Sequence, residues 1–350
     1  MTVTLESLAT ALAPHVLPQD VVGRRAEEIL GPRYPQFRRL LATFGTAGIE
    51  RRRSVAPFEW FDEGAHGWAE RNRLWHDGCA AMFRDAAGQA LEAAGWRGAD
   101  VDAIVTVSST GVATPTLEAV VADEMGFRAD ALRVPVFGLG CAGGASGLGI
   151  AAQLAAGRPG ARVLLVVVEA CTVSFRTDRL SKADIIATVL FGDGAAAACL
   201  RAGGEGGAVT VGPGTQHRWP DTLAIMGWDV DDEGLGVVFD RSIPDFAARH
   251  MGEATEAALR TLGRDRDGVD RMVCHPGGAK VIVALETALA LGQGSLDLER
   301  EVLREHGNMS APTVLFVLDA VRRRGDRGRM MATALGPGFS AAFTPVDIAA

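Results

Sequence analysis

The chain has 350 residues, of which 48% are hydrophobic and 22% charged, a balance typical of a folded globular enzyme rather than a disordered or fibrous protein. Its formal net charge of −8 argues against a protein that binds nucleic acid by neutralising phosphates. The strongest apolar run, residues 163–168, is too short to span a bilayer, so we expect no membrane span. Arg51, Arg52 and Arg53 form one basic cluster, for which we predict a solvated face.

The cysteine pattern argues against a zinc or redox motif. None of the five cysteines forms a C-x-x-C pair with another. An odd number of cysteines, with no basic and apolar leader at the start of the chain, favours a reducing compartment. We therefore expect a cytoplasmic protein. The cysteines are Cys79, Cys141, Cys171, Cys199 and Cys274.

Short apolar runs alternate with helical patterns along the chain, which is typical of an α/β protein. Apolar spacing predicts a helix over residues 77–94, and β-branched runs predict buried strands over 101–107 and 162–168. Between these strands, residues 142–156 are rich in small side chains and predict a second helix. The remaining predictions are strands at 190–200 and 271–274, a linker at 201–207 and a helix at 311–323.

Two parts of the chain repeat the same spacing. Ser108 and Cys141 are 33 positions apart, and so are His275 and Asn308. In both parts, a further predicted strand ends 28 positions after the second residue. Equal spacing of unlike sequences favours an internal duplication of a strand–helix–strand unit. The two predicted halves are residues 1–203 and 204–350.

Cys141 lies in the run GCAGG, after an apolar strand and before a predicted helix. Glycines on both sides allow a sharp turn that exposes the sulfur at the positive end of a helix dipole. Both effects favour the thiolate, which is the nucleophilic form. From the local sequence alone, a small cysteine buried in a packed turn is an equally good interpretation.

His275 directly follows a predicted strand, where active-site groups often lie. It could pair with Cys141 as imidazolium and thiolate, although a lone histidine is more often structural. Asn308 opens a predicted helix, so it is either an N-cap or an amide donor for a developing oxyanion or enolate.

Five motifs occur in an order found in one family. They are GCAGG at 140–144, FGDGA at 191–195, HPGG at 275–278, GNMS at 307–310 and GPGF at 336–339. This set resembles the type III polyketide synthases, the chalcone-synthase-like branch of the thiolase superfamily. The resemblance implies a thiolase-like αβαβα layered fold of two duplicated halves. It also implies an acyltransferase that needs no metal or cofactor and uses CoA thioesters as substrates.

The resemblance implies roles for single residues. Cys141 resembles the nucleophile that holds the acyl chain. His275 and Asn308 resemble the pair that polarises the thioester and stabilises the enolate formed when malonyl-CoA loses CO₂. Phe191, otherwise interpreted as a core residue, resembles the gatekeeper between the CoA tunnel and the cavity. By the same resemblance, Arg38 or Arg39 and Lys280 meet CoA phosphates, and the cavity is lined by Ser109, Thr110, Thr114, Cys171, Ser174, Phe239, Ser310, Gly336, Pro337 and Gly338.

Within the family, residues 108–115, 171–176 and 307–317 are similar to bacterial alkylresorcinol and alkylpyrone synthases, which take fatty acyl starters. Small side chains at cavity positions favour room for a long chain. A tetrahydroxynaphthalene-type synthase that uses malonyl-CoA alone is the alternative. The sequence leaves open whether the starter arrives on CoA or on an acyl carrier protein. The resemblance also implies a homodimer, with Thr114 near the partner subunit.

Two rival classes share a Cys, His and Asn set. The ketoacyl-ACP synthase that initiates fatty-acid synthesis typically has Gln-Ala-Asn after its histidine, where this chain has Pro276-Gly277-Gly278. A papain-like hydrolase needs its cysteine near the mature N-terminus, whereas Cys141 is in mid-chain. We therefore favour the polyketide synthase.

Overall fold

The computed structural model describes residues 1–34, 37–179, 181–203 and 208–349, apart from the side chains of Arg38 and Arg39. Its strands, in chain order, are β1 (Val3–Leu12), β2 (His15–Pro18), β3 (Arg51–Ser54), β4 (Ala103–Val107), β5 (Leu132–Val136), β6 (Arg162–Ala170), β7 (Asp193–Ala202), β8 (Val209–Val211), β9 (Thr215–Arg218), β10 (Met226–Asp231), β11 (Gly234–Phe239), β12 (Arg271–Cys274), β13 (Gly328–Gly336) and β14 (Ser340–Ile348).

The helices are α1 (Gln19–Leu30), α2 (Phe37–Thr46), α3 (Phe58–Asp62), α4 (Trp68–Ala94), α5 (Leu117–Val120), α6 (Ala122–Met125), α7 (Gly143–Ala156), α8 (Lys182–Leu190), α9 (Ile243–Thr261), α10 (Ala279–Ala288), α11 (Asp297–His306) and α12 (Thr313–Arg324). Short 3-10 turns occur at Gly98–Asp100, Gly140–Ala142 and Thr172–Ser174.

The strand order has an internal symmetry that fits the predicted duplication. The main sheet runs β12-β13-β14-β8-β1-β7-β6-β4-β5, and its two halves meet at one residue pair, Thr4 with Thr210. On one side of this junction β1, β7 and β6 are antiparallel neighbours, and β4 then pairs parallel with β6. On the other side β8, β14 and β13 are antiparallel neighbours, and β12 pairs parallel with β13. The same pattern is therefore built twice.

The two halves of the sheet enclose a central helical layer. Helices α7 and α12 contact each other and strands of both halves, whereas α4 packs on the outside of β1, β7 and β6. In β6, Val163, Leu165 and Val167 face the central layer, and the alternate residues face α4. Helices α9 and α10 cover the outer face of β12–β14. This order of layers, αβαβα, confirms the predicted fold class.

The small side chains of α7 allow the central layer to be thin. A Cβ atom added to Gly144 would lie only 2.1 Å from the carbonyl oxygen of Ala311, just before α12. The starts of the two helices are therefore in backbone contact at this point. The sequence had predicted both helices, with boundaries one to two residues from those observed.

Other predictions need correction at their edges. The helix predicted at 77–94 begins at Trp68, because the first two turns also bury aromatic and charged side chains against the core. The linker predicted from residue 201 begins later, because Arg201 and Ala202 still pair with β1. Residues 204–207 lie outside the described part of the chain, and the division at residue 203 stays a prediction.

The basic cluster is not a uniform solvated face, so that prediction is wrong for its central residue. Residues 51–54 form β3, which pairs with β2, and side chains of a strand alternate between its faces. Arg51 is exposed and Arg53 is half-buried, but Arg52 points inward and is only 2% exposed.

Candidate active site

Three side chains from separate elements line one cavity of about 500 Å³. Cys141 lies in the 3-10 turn before α7, His275 directly follows β12, and Asn308 lies between α11 and α12. All three are buried, with exposures of 6%, 4% and 1%. The equivalent turns of the duplicated halves thus place Cys141 and Asn308 at the starts of the two touching central helices.

A sharp turn presents Cys141. Gly140 has a positive φ of 46°, and a Cβ there would lie 2.8 Å from Cδ of Pro337. The hydroxyl of Ser109 accepts hydrogen bonds from the backbone N–H of Gly138 at 3.1 Å and of Gly140 at 3.4 Å. A Cβ at Gly336 would meet Ala142 at 2.6 Å. Ser109, Gly336 and Pro337 therefore support the nucleophile turn from behind.

The Cys141 thiol is held in a dry environment. Its sulfur lies 3.9 Å from Oδ1 of Asn308 and 3.7 Å from the hydroxyl of Ser310. Burial raises the pKa of the thiol to about 11, and the contact with Ser310 opposes this shift. Burial thus outweighs the helix dipole, on which the expectation of a thiolate depended.

His275 has no polar partner for its ring. Its backbone N–H donates to Thr333 at 2.8 Å, but neither ring nitrogen has a hydrogen-bond partner among the described residues. Burial lowers the pKa of the imidazole to about 3. The expected hydrogen bond to Cys141 is therefore not formed in this structure. A buried ring with two unpartnered nitrogens is suited to bind a polar atom of a ligand in the cavity.

The amide of Asn308 has a fixed orientation. Oδ1 accepts a hydrogen bond from the backbone N–H of Ser310 at 2.8 Å, and Nδ2 donates to the carbonyl of Gly277 at 3.2 Å. One N–H of the amide group remains for a ligand. The N-cap interpretation is wrong, because Pro312 caps α12 and no side chain caps its first turn.

The backbone of Asn308 is joined to that of Phe191 by a parallel bridge. Asn308 donates its N–H to Leu190 at 2.8 Å, and Gly192 donates to the carbonyl of Asn308 at 3.0 Å. We call these two bonds the 191–308 bridge. The bridge therefore connects the end of α8, next to the predicted gatekeeper, to the loop that carries the predicted amide donor.

Phe191 lines a second pocket and not the catalytic cavity itself. Its ring packs edge-on against Phe239, with centroids 5.6 Å apart, and Phe239 lines the catalytic cavity. On its other side, Phe191 lines a smaller apolar pocket of about 60 Å³. Cys171 and Ser174 line this second pocket rather than the catalytic cavity, and the Ser174 hydroxyl donates to the carbonyl of Cys171 at 2.7 Å.

Trp228 is a neighbour of Phe191 that the sequence analysis missed. It lies on β10, packs against Phe191 with centroids 6.5 Å apart, and donates its indole N–H to the carbonyl of Ser109 at 2.8 Å. Nothing in its local sequence marks it, because β10 and β11 form a separate hairpin that only the fold brings to the cavity.

Glu169 is a second residue that the sequence analysis missed as a site residue. Both its carboxylate oxygens accept the backbone N–H of Ser109, at 3.0 and 2.9 Å, and Thr110 donates its hydroxyl at 2.6 Å. Burial raises the pKa of this carboxyl to about 7, against these hydrogen bonds. Thr110 therefore binds the carboxylate of Glu169 at the end of β6 and does not line the catalytic cavity.

Two further predicted cavity positions lie elsewhere. Thr114 is exposed, so within one chain it does not line the cavity, and its place near a partner subunit stays a prediction. Gly338 lies in the turn between β13 and β14 with a positive φ of 125°. Its neighbours Thr333, Ala334 and Leu335 on β13 line the cavity instead.

Three cations line the catalytic cavity. Lys280, at the start of α10, does so as predicted, and Lys182 and Arg241 do so as well. Asp240, whose carboxylate is affected by the charge of Arg241, also lines the cavity. Cations suit the phosphates of a CoA thioester. The side chains of Arg38 and Arg39, also predicted to meet CoA, lie outside the described residues.

The described residues contain neither a cluster of metal ligands nor a membrane-spanning helix. No group of three or more His, Cys, Asp or Glu side chains there is arranged to hold a metal ion. No helix within 1–34, 37–179, 181–203 and 208–349 is long and apolar enough to cross a membrane.

Comparison with known proteins gives consistent matches along the chain. The family model described as the N-terminal domain of chalcone and stilbene synthases matches residues 59–204, and the C-terminal domain model matches residues 211–346. A 1,3,6,8-tetrahydroxynaphthalene synthase from Streptomyces peucetius subsp. caesius is 40% identical over 97% of this chain and 92% of its own length.

Solved structures show the same fold. The 1,3,6,8-tetrahydroxynaphthalene synthase of Streptomyces coelicolor A3(2), described as a bacterial type III polyketide synthase, has a TM-score of 0.92 at 26% identity and 99% coverage of both chains. PKS-I of the brown alga Ectocarpus siliculosus has a TM-score of 0.90 at 21% identity, with 99% of this chain and 98% of that one covered.

Proposed function

The chain belongs to the chalcone and stilbene synthase family and is a type III polyketide synthase, and we propose that it condenses malonyl units alone to form a tetrahydroxynaphthalene. One observation carries the chemistry: two unpartnered nitrogens of His275 and one free N–H of Asn308 face the same buried cavity as the Cys141 thiol. The identity of the product is supported by the 40% identical relative, which carries that name.

The proposed cycle starts with acyl transfer to Cys141. The thiol loses its proton and attacks the carbonyl carbon of an acyl thioester, and the CoA thiol leaves. Polarisation of that carbonyl by His275 and Asn308 stabilises the oxyanion of the tetrahedral intermediate. The neutral imidazole, which burial favours, can accept the thiol proton as the bond to carbon forms.

Carbon–carbon bond formation then needs a carbanion equivalent. The bond between the methylene and the carboxylate of malonyl-CoA breaks, CO₂ leaves, and its electron pair forms a thioester enolate. His275 and Asn308 are placed to donate hydrogen bonds to the enolate oxygen, each worth about 3 kcal/mol of barrier. The enolate carbon attacks the acyl group on Cys141, the sulfur leaves, and the extended chain returns to Cys141 from CoA.

Product length follows from carbon counting. A naphthalene ring system has ten carbons, which five malonyl units supply once each has lost CO₂. Ring closure by Claisen and aldol condensations releases the last CoA thiol and one water. A malonyl-only chain needs no long acyl pocket.

The side chains at two cavity positions weaken the case for a long acyl starter. The hydroxyl of Ser109 accepts hydrogen bonds from the turn that carries Cys141, and Thr114 is exposed. The bulky indole of Trp228 lies beside Phe191. Room for a long chain was expected from Ser109, Thr114 and Ser174, and the third of these lines the second pocket.

A fatty acyl starter with an alkylresorcinol or alkylpyrone product is the second candidate. It is favoured by the apolar pocket beyond Phe191, which Phe58, Phe61 and Phe175 line together with aliphatic side chains. An alkyl chain that passed Phe191 would find an apolar environment there.

Incubation with labelled malonyl-CoA, alone and with a ladder of acyl-CoA and acyl carrier protein starters, tests the proposal by product mass. We expect a ten-carbon aromatic product from malonyl-CoA alone. Cys141→Ala should abolish it, whereas Cys171→Ala, at a buried cysteine of the second pocket, should not. Products that form only with a long acyl starter would favour the second candidate. A single condensation would instead indicate a ketoacyl synthase.

We also propose a homodimer formed through the edge of the sheet. β5 is the strand at one edge of the sheet, and Leu132 on it and Phe137 just after it are 54% and 59% exposed. Val112, in the loop that contains Thr114, is 52% exposed. A monomeric mass by light scattering would contradict this proposal.

A further inference from the structure

Arg52 is a buried cation directly behind the catalytic cavity. It lies on β3 with 2% of its surface exposed, and its Nη1 donates a hydrogen bond of 2.7 Å to the carbonyl oxygen of Phe191. Its Nε has no hydrogen-bond partner among the described residues. The sequence marked this arginine only as the middle of a basic cluster.

The environment of Arg52 disfavours the charged form of its guanidinium group. Burial lowers the pKa of its guanidinium to about 9, and the charge of Asp193 only partly opposes this. Asp193 itself is held by neutral groups, the backbone N–H of Val55 and the N–H and hydroxyl of Thr172. A buried charge without a direct counter-ion destabilises a fold unless hydrogen bonds compensate for its lost hydration.

Arg52 packs against the backbone around the 191–308 bridge. A Cβ added to Gly192 would lie 2.5 Å from the carbonyl oxygen of His306 and 3.0 Å from Cβ of Arg52, and one added to Gly307 would lie 2.8 Å from the carbonyl oxygen of Leu190 and 3.2 Å from Cδ of Arg52. These glycines flank the two bridged residues, Phe191 and Asn308, on either strand of the bridge. The stem of Arg52 therefore contacts both strands of the bridge, and its guanidinium binds one of them.

The strand that carries Arg52 is tied to the same region. Arg51 forms an ion pair with Glu305 at the end of α11. Glu50 donates its N–H to the carbonyl of Arg304 at 2.8 Å. β3 is thus fixed to the helix that leads into Gly307 and Asn308.

We propose that Arg52 is a positioning residue for condensation, whose buried guanidinium locks the 191–308 bridge and so holds the Phe191 ring and the Asn308 amide in place. Arg52 lines the second pocket with Phe191 and not the catalytic cavity, and it acts on the cavity through Asn308 and the backbone bridge to it. The inference rests on the proposed decarboxylative function for its kinetic consequence, but not for its structural one.

Arg52→Met tests the proposal against Arg53→Met, the same change one position along the strand and on its other face. Sites are counted by iodoacetamide alkylation of Cys141, and kcat and KM for CO₂ release from malonyl-CoA are expressed per reactive site. Loss of a charged hydrogen bond predicts that Arg52→Met lowers kcat about 10- to 100-fold with little change in KM. Arg53→Met should stay within about twofold of the wild type.

Hydrogen exchange gives a second readout that needs no activity. In Arg52→Met, the backbone amides of Gly192 and Asn308 should exchange faster, while other amides keep their rates. Arg52→Lys should recover part of both effects. If Arg52→Met does not fold, Arg52→Gln takes its place with the same expectations.

The outcomes separate the two proposals. Equal kcat per site and equal exchange in the Arg52 and Arg53 variants would overturn the positioning role. A fall only in the number of reactive sites would show a merely structural role and would also overturn it. If the wild type releases no CO₂, the proposed function fails, and the exchange of Gly192 and Asn308 still decides the role of Arg52.

Discussion

Gly144→Ala should damage both the stability and the activity of this enzyme, because Gly144 is where the two central helices touch. The new Cβ would lie 2.1 Å from the carbonyl oxygen of Ala311 and 2.7 Å from Cγ1 of Val314. Ordinary contacts of a Cβ begin at 3.4 Å, so α7 and the start of α12 must separate by about 1 Å. The nearest obstacle is backbone and cannot rotate away.

The expected cost has two parts. Overpacking of a core at a rigid contact costs about 3 kcal/mol of unfolding free energy. The same displacement moves Cys141, just before α7, relative to Asn308, just before α12, and a misplacement of about 1 Å costs about 100-fold in rate. Unfolding in denaturant and CO₂ release per reactive Cys141 measure the two effects.

Gly88→Ala is the matched control. Gly88 lies inside α4, and a Cβ there would meet nothing within 4 Å. Its replacement should stabilise the protein by about 1 kcal/mol through helix propensity and leave the rate unchanged. If Gly144→Ala unfolded with the same free energy as Gly88→Ala, or kept wild-type activity, the close helix contact would not have the importance assigned to it.

Three further changes probe the site itself. Asn308→Asp keeps the shape but replaces both N–H donors with an oxygen, so CO₂ release per reactive Cys141 should fall about 100- to 1,000-fold, and a loss under tenfold would contradict the donor role. The buried carboxyl facing the Gly277 carbonyl should also lower the free energy of unfolding, which is why the rate is expressed per reactive site. In the wild type, burial raises the pKa of the Cys141 thiol to about 11 and keeps the His275 imidazole neutral, so alkylation of Cys141 should rise about tenfold per pH unit from pH 7 to 10. His275→Ala should leave that slope unchanged, and a wild-type profile that levels off at lower pH, and loses this plateau in the variant, would instead indicate a thiolate–imidazolium pair. Trp228→Ala should open space beside Phe191 and shift product masses towards longer chains or larger starters, and Trp228→Phe, which keeps a ring without the N–H, should change them less.

Local chemistry made much of the site predictable. Cys141 has glycines on both sides at the start of a helix, a pattern that only a sharp turn explains, and the structure has that turn with a positive φ at Gly140. His275 follows a short apolar strand, and strand ends in an α/β fold lie at the edge where sites form. The equal spacing of the two halves anticipated that Cys141 and Asn308 would occupy equivalent turns.

Other features depended on contacts between distant parts of the chain. Arg52 looks like its neighbours in the sequence, and only the pairing of β3 with β2 decides that it points inward. Trp228 reaches Phe191 because its hairpin folds over this region, and its hydrogen-bond partner Ser109 is 119 positions away. The orientation of the Asn308 amide depends on the Gly277 carbonyl, 31 positions away in the chain.

The residues alone indicated an α/β protein with an internal duplication and marked Cys141, His275 and Asn308 as candidates, because turns, strand ends and helix starts are specified by residues within a few positions of one another. The layered fold, the roles of these three residues and the family were implied by the resemblance of five ordered motifs to the type III polyketide synthases. The three-dimensional structure added which neutral forms burial favours, which small side chains line the cavity and which support a turn, and which backbone bonds join Phe191 to Asn308. These features arise from desolvation, pocket shape and backbone bridging between groups of separate segments, which come into contact only when the two halves close around α7 and α12.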